Sequence, residues 1–415
     1  MLTPTGGRVD RAADEKGGGI SPMSAGNLPV SRRGFLLSAA ASGLVAAGGV
    51  PRPVAAAPAY SGPNVIVVRF GGGVRRRETI DPTGSRSPFL LHEFIPQGTL
   101  FPCLEISQRP GLNTSHGEGT LNIVTGHYDS YEDVDGRFLG ARFEPNFPTL
   151  FEYLRKAYAV APHETLMING EDRPDEEFYN FSNSADYGAA YRCSTLSLYR
   201  YYRHRLERKL AAGGLSEAEI AAARRQLEKW ESGDRRLADG AQESPAIARF
   251  WDDWQMRYVD GASEDVRGDR LLTEIAVRAL RHLRPRLLMV NYQDCDFVHW
   301  GNAAHYTRGI AVMDQGLRDL AAAVEADEFY RGNTLFAVVP DCGRDDNPMM
   351  AVPYQHHFNS RSAREIFALL VGPGIARGRV VDRSADQTDI APTVAALMGF
   401  AASESEGAIL REAFV

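Results

Sequence analysis

The sequence predicts an α/β protein of three layers, in which a mostly parallel central sheet carries helices on both faces and a helical insertion. Three observations predict it. Short β-branched apolar runs recur along the chain, amphipathic helical patterns lie between them, and polar or glycine-rich segments follow the runs where parallel strands would present their carboxyl ends.

The first run, Asn64 to Phe70 (NVIVVRF), stops at Gly71-Gly72-Gly73, as a buried strand ending in a tight turn would. Thr165 to Asn169, Arg286 to Tyr292, Thr334 to Val339 and Ile366 to Val371 repeat the pattern. Helical faces are expected at Phe147, Leu150, Phe151 and Leu154, at Leu272, Ile275, Ala279 and Leu283, and at Ile310, Met313, Leu317 and Leu320. Residues from about 185 to 265 break this rhythm with Tyr- and Arg-rich helical sequence and no convincing strand, too long a stretch for a plain loop. Within it Ser216 and Glu219 form a capping box, with Leu215 and Ile220 placed as a hydrophobic staple.

Ahead of this domain, residues 1–56 read as a twin-arginine export signal. Ser31-Arg32-Arg33-Gly34-Phe35-Leu36-Leu37 leads into a small-residue apolar run, Ser38 to Val50, and Val54-Ala55-Ala56 offers a cleavage site. The run is shorter than the roughly 20 residues that span a bilayer. A periplasmic or secreted protein without a stable membrane anchor is therefore expected. Losing the segment's six basic and three acidic residues takes the net charge from −7 to −10, which argues against nucleic acid as a partner. The four cysteines, Cys103, Cys193, Cys295 and Cys342, are too few for a disulfide scaffold. Cys295 and Cys342 each follow an aspartate at a strand end, where a disulfide, a soft metal site or two inert buried thiols are the alternatives.

In an open parallel sheet, ligands bind at the carboxyl ends of the strands. Those ends carry Gly71 to Arg77, then Asn291-Tyr292-Gln293-Asp294-Cys295-Asp296-Phe297-Val298-His299 with His305 beyond, and Pro340-Asp341-Cys342-Gly343-Arg344-Asp345; Gln355-His356-His357 precedes the last strand. Six of the ten histidines, His116, His127, His299, His305, His356 and His357, fall in three short segments beside Asp, Gly and Asn. Imidazoles converging with carboxylates are what zinc or a similar divalent metal requires. The segment Asn113 to Gly126 adds Thr114, Ser115 and His116 beside glycines at a helix start, where free backbone N–H groups can hold an oxyanion or simply be capped.

These residues resemble the alkaline phosphatase superfamily of phosphatases, sulfatases, nucleotide phosphodiesterases and phosphoglycerate mutases, over nearly all of the chain beyond the export segment. Leu121-Asn122-Ile123-Val124-Thr125-Gly126 is similar to the helix after the family's nucleophile. Asp296 and His299 with Met313-Asp314 resemble its metal-binding segment, Val338-Val339-Pro340-Asp341 its next ligand strand, and Gly372-Pro373-Gly374-Ile375 and Thr388-Asp389-Ile390-Ala391-Pro392-Thr393 its closing motifs. The resemblance implies one or two divalent ions, zinc first, with metal ligands from Asp296, His299, Asp341 and His356 or His357. It also implies a nucleophile among Thr114, Ser115 and His116, and anion contacts from Arg344 and Arg75.

Departures from the pattern fall mainly on one metal position. Gly71 stands where the first strand normally ends in aspartate, Cys342 where a histidine follows the aspartate, and His116 aligns with the nucleophile. A one-metal site is the sharper expectation, in an exported branch with divergent ligands. No Cys/Ser-x-Pro-x-Arg pattern of sulfatases stands at the expected place. The expected function is hydrolysis of a small anionic phosphate ester; the alternative is a non-catalytic member that binds an anion, glycan or protein partner. No G-x-G-x-x-G opens a helix after Gly71, so a dinucleotide site finds little support.

Overall fold

The structure is a computed structural model that describes residues 57–415 apart from 110, 113, 130, 134–142, 171–178, 234–243, 259–267, 300, 348 and 350–352. Residues 1–56, expected to be an export signal, lie outside the described residues, and so do parts of the insertion expected at about 185–265. Ala55–Val415 forms one compact unit.

Nine strands build the sheet: β1 (Asn64–Phe70), β2 (Gly98–Glu105), β5 (Thr165–Asn169), β6 (Ser194–Ser197), β7 (Leu287–Asn291), β8 (Thr334–Pro340), β9 (Glu365–Val371), β10 (Arg379–Val380) and β11 (Ala385–Asp386). A separate hairpin pairs β3 (Tyr131–Asp133) with β4 (Phe143–Pro145). The spatial order is β10-β2-β9-β8-β1-β7-β5-β6, with β11 also on β2. The run from β8 to β6 is parallel and β9 is antiparallel to both neighbours.

Alternate residues of β1 feed two cores. Ile66, Val68 and Phe70 pack with the longer helices α4 (Leu198–Ala212), α6 (Pro245–Tyr258), α7 (Gly268–Leu283) and α8 (Ala303–Ala326). Val65 and Val67 face α2 (His116–Thr125), α3 (Leu150–Ala157) and α10 (Ile390–Leu397). Helix α5 (Glu217–Gly233) packs on α4, and single turns α1 (Arg76–Thr79) and α9 (Arg361–Arg364) are the remaining α-helices among the described residues. The fold is thus the three-layer, mostly parallel α/β architecture expected.

Two expectations need correction. The stretch from 185 to 265 was expected to lack a strand, yet Ser194–Ser197 is the sheet's edge strand β6, paired in parallel with β5. Four residues with three hydroxyl side chains give no apolar run, so burial against β5 supplies what propensity does not. Phe147 precedes the helix it was assigned to; Thr149 is the N-cap, and Phe147 stacks on His127 instead. The capping box in the insertion forms as expected, with Glu219 N–H donating to Ser216 and Glu219 accepting from the Ser216 backbone.

The antiparallel direction of β9 matters for function. Because β9 runs back, the segment before it lies at the same rim as the ends of β1, β7 and β8, which brings Gln355 and His356 to the carboxyl edge of the parallel strands.

Candidate metal centre

Helix α2 is aimed at this rim by close packing. A Cβ on Gly119 would stand 2.1 Å from the Asp341 carbonyl oxygen, so only glycine lets the helix approach β8 so closely. Ser115 is the N-cap and accepts from the Glu118 N–H, making His116 the first helical residue. Its imidazole is buried between two carboxylates, with Nδ1 2.8 Å from Asp341 Oδ2 and Nε2 2.7 Å from Asp296 Oδ1.

The turn after β7 supplies Asp296 and His299, whose Nε2 lies 2.6 Å from the same Asp296 Oδ1. His299 Nδ1 faces Gln355 Oε1 at 3.0 Å. His356, 1% exposed, donates from Nδ1 to the Thr114 carbonyl, which leaves Nε2 without a hydrogen-bond partner 3.6 Å from Asp296 Oδ1. Three imidazoles therefore turn their Nε2 atoms toward one carboxylate oxygen while every Nδ1 is held by a protein oxygen. Their ligand atoms and the Asp296 carboxylate lie within 4.8 Å of one another.

This donor set fits a divalent ion. Fixing Nδ1 on an oxygen sets the tautomer that leaves Nε2 to a metal, and the buried, unpartnered Nε2 of His356 is a lone pair lacking a cation. Ligands about 2 Å from a tetrahedral ion stand roughly 3.3 Å apart, so the shorter contacts to Asp296 need open by well under 1 Å. On one side the cluster meets solvent, with the Asp296 side chain 25% and that of His299 22% exposed.

The charges agree with a cation-seeking site. Burial opposes charge on His116, but the carboxylates of Asp296 and Asp341 outweigh it and hold its pKa well above the usual range. Burial would raise the Asp296 carboxyl, yet the charge of His116 and the hydrogen bonds from His116 and His299 hold it far below normal. Burial, aided by His116, pushes His356 down to about 3.

The remaining expected site residues are placed as follows. Asp341 holds Nδ1 of His116 but is not itself one of the four donors around Asp296. His357 is exposed and stacks on His299 at 6.0 Å between ring centroids, outside the four-donor cluster, so of the two adjacent histidines His356 is the one brought in. Thr114 is buried and donates its hydroxyl to the His356 carbonyl, fixing the loop. Ser115 caps α2 and also bonds Glu118. His305 sits exposed in the first turn of α8. Cys295 and Cys342 are free and buried, so no disulfide joins them; burial pushes the Cys342 thiol up to about 11, and its sulfur is 3.7 Å from His116 Nδ1.

Arg344 corrects the expectation of an anion contact. It is fully buried, and its guanidinium donates to the carbonyls of Gly72, Gly73, Cys295 and Tyr354, clamping the three loops that carry the cluster. Arg75 is held by Glu78 and lies over Tyr306 and Tyr354. Replacing Arg344 by Met strands buried carbonyls, and we expect a loss of about 3 kcal/mol or more, read as a lower thermal midpoint. An unchanged midpoint would refute the clamp.

Arg69 is the residue sequence reasoning missed. In NVIVVRF it reads as an ordinary strand residue, and nothing local marks its guanidinium as buried at the strand end beside Asp341.

Against known proteins, no family model and no curated protein matches, but solved structures do. BT1596, a 2-O GAG sulfatase, is 13% identical over 84% of this chain and 73% of its own, with a TM-score of 0.51. A variant of the alkaline phosphatase PafA is 12% identical over 86% of this chain and 100% of its own, also at 0.51. A Vibrio parahaemolyticus protein of the alkaline phosphatase superfamily is 15% identical over 86% and 72%, at 0.46. The chain shares its fold with the sulfatase BT1596 and the alkaline phosphatase PafA, the architecture the motifs led one to expect; at such identities the likeness fixes architecture and leaves chemistry to the site.

Proposed function

We propose that the protein is an exported hydrolase of small anionic phosphate esters, built around one divalent ion, zinc first, held by His116, His299, His356 and Asp296. The convergence of three Nε2 atoms on one Asp296 oxygen carries this reading. Three nitrogens and one carboxylate suit zinc better than magnesium or calcium, which take mostly oxygen. When bound, such an ion polarises a phosphoryl oxygen and lowers the pKa of water.

The chain's own residues set the rest. Asp341 and the Thr114 carbonyl orient His116 and His356, Gln355 orients His299, and Arg344 fixes the loops. The exposed side of Asp296 and His299 is the entry for ester and water. His116 occupies the nucleophile position of the resemblance, but its Nε2 points into the donor set, so we assign it as a ligand and leave attack to solvent water. Ser115 is an N-cap in this scheme. Its replacement by Ala is expected to cost about 1 kcal/mol with turnover retained; turnover abolished at full metal content would instead make Ser115 the nucleophile.

The test is a panel of phosphomonoesters, phosphodiesters and sulfate esters, assayed with metal removed and restored. Hydrolysis of phosphate esters that chelation abolishes and zinc restores supports the reading. A metal-bound protein inert across the panel favours the second reading, a non-catalytic binder, which a four-donor set with no position left open supports, as does Arg344, the arginine nearest Asp296 among the described residues, being spent on backbone carbonyls. Export rests on Ser31 to Leu37 and the small-residue run after it. Among the described residues no helix is long and apolar enough to cross a membrane. Changing Arg32 and Arg33 to Lys should retain a fused reporter in the cytoplasm, and export unaffected by that change would exclude the pathway.

A further inference from the structure

A second group of donors adjoins the first, His116, Asp341 and Cys342, again within 4.8 Å of one another. Its position invites a second cation. The surroundings show that one is already there.

The Arg69 guanidinium is 1% exposed and lies 3.6 Å from Asp341 Oδ2. It donates to the Tyr292 carbonyl at 3.0 Å, to Gln293 Oε1 at 2.7 Å and to the Thr120 hydroxyl. Asp341 is saturated. Its carboxylate accepts from the backbone N–H of Gly72 and Gly73, each at 3.2 Å, from Cys342 N–H at 2.7 Å, and from His116 Nδ1 at 2.8 Å. A carboxylate has about four lone-pair directions, and all are occupied.

The glycines make this arrangement possible. A Cβ on Gly71 would stand 1.8 Å from the Tyr292 carbonyl and 2.7 Å from the Arg69 guanidinium, so no aspartate can stand there beside Arg69. Gly72 and Gly73 have φ of +74° and +71°, which lets their successive N–H groups turn onto Asp341.

The geometry points to Arg69 as a built-in replacement for a second metal ion: the His116, Asp341 and Cys342 pocket takes no cation from solution, and Arg69 acts through Asp341 to hold His116 facing the neighbouring centre. Arginine keeps its charge at every accessible pH, so the substitution is permanent. The closure of the second pocket to cations stands independently of the proposed metal centre; the positioning role of Arg69 rests on that reading.

Cobalt titration of the whole protein, followed by absorption, tests both parts. One equivalent is expected, without the near-ultraviolet thiolate-to-cobalt band, in wild type and Cys342→Ser alike. A second equivalent bearing a band that Cys342→Ser abolishes would overturn the proposal. No cobalt at all would sink the proposed centre while agreeing with a closed second pocket. Arg69→Lys keeps the charge but loses the fork to Tyr292 and Gln293. Its cobalt affinity should fall 10- to 100-fold, the range for partners that orient a ligand, with a changed d–d envelope. A variant that binds cobalt like wild type, with the same spectrum, would remove Arg69 from any positioning role.

Discussion

Replacing Asp296 by Ala or by the isosteric Asn is expected to strip the protein of the proposed divalent ion and to lower the proposed ester hydrolysis by about 1000-fold or more. The carboxylate oxygen of Asp296 is the point on which three imidazoles converge, two of them within 2.7 Å. It is the only anion in the four-donor group, and it offsets the charge of the ion and of any proton on His116. Asn keeps the shape and removes the charge, so equal losses in both variants would assign the effect to electrostatics rather than packing. Elemental analysis of the purified variants reads the outcome. Full metal content in D296N would show that the imidazoles alone hold the ion.

The second large effect is expected at His116. Its replacement by Ala removes one ligand, empties a buried space, and leaves Asp296 and Asp341 without the group that bridges them. Metal affinity should drop by at least about 100-fold and the thermal midpoint should fall, since buried carboxylates lose a cationic partner. Asp341 retains Arg69 and three N–H donors, so the variant should still fold. A nucleophilic His116 makes the opposite forecast: metal content unchanged, turnover gone, and an acid-labile phosphohistidine trapped on the wild-type protein.

Much of the architecture was legible in sequence because its strands are buried on both faces. NVIVVRF, Arg286 to Tyr292 and Thr334 to Val339 are largely apolar runs, and the glycine- or aspartate-bearing segment at the end of each marked the candidate rim. Among the strands that escaped notice are two that no continuous apolar run announces: β6 is Ser- and Thr-rich, and β2 contains Pro102 and Cys103, with a register shift between Phe101 and Leu104. Asp296, His299 and His356 could be singled out by residue type and position at strand ends. What a side chain does with its donors could not. Arg344 reads as a basic residue at a strand end, yet four carbonyls take its guanidinium. Arg69 reads as part of a strand, yet lies against Asp341. His356 and His357 are neighbours in sequence, and it is His356, whose backbone and ring both pair with Thr114, that turns inward.

The most direct measurement is the anomalous difference density of crystals grown with zinc and collected on either side of its absorption edge. The account predicts one peak, about 2.0 to 2.2 Å from the Nε2 atoms of His116, His299 and His356 and an oxygen of Asp296, with none beside Cys342. Density absent from that point, or a peak bound by Asp341 and Cys342, would contradict it.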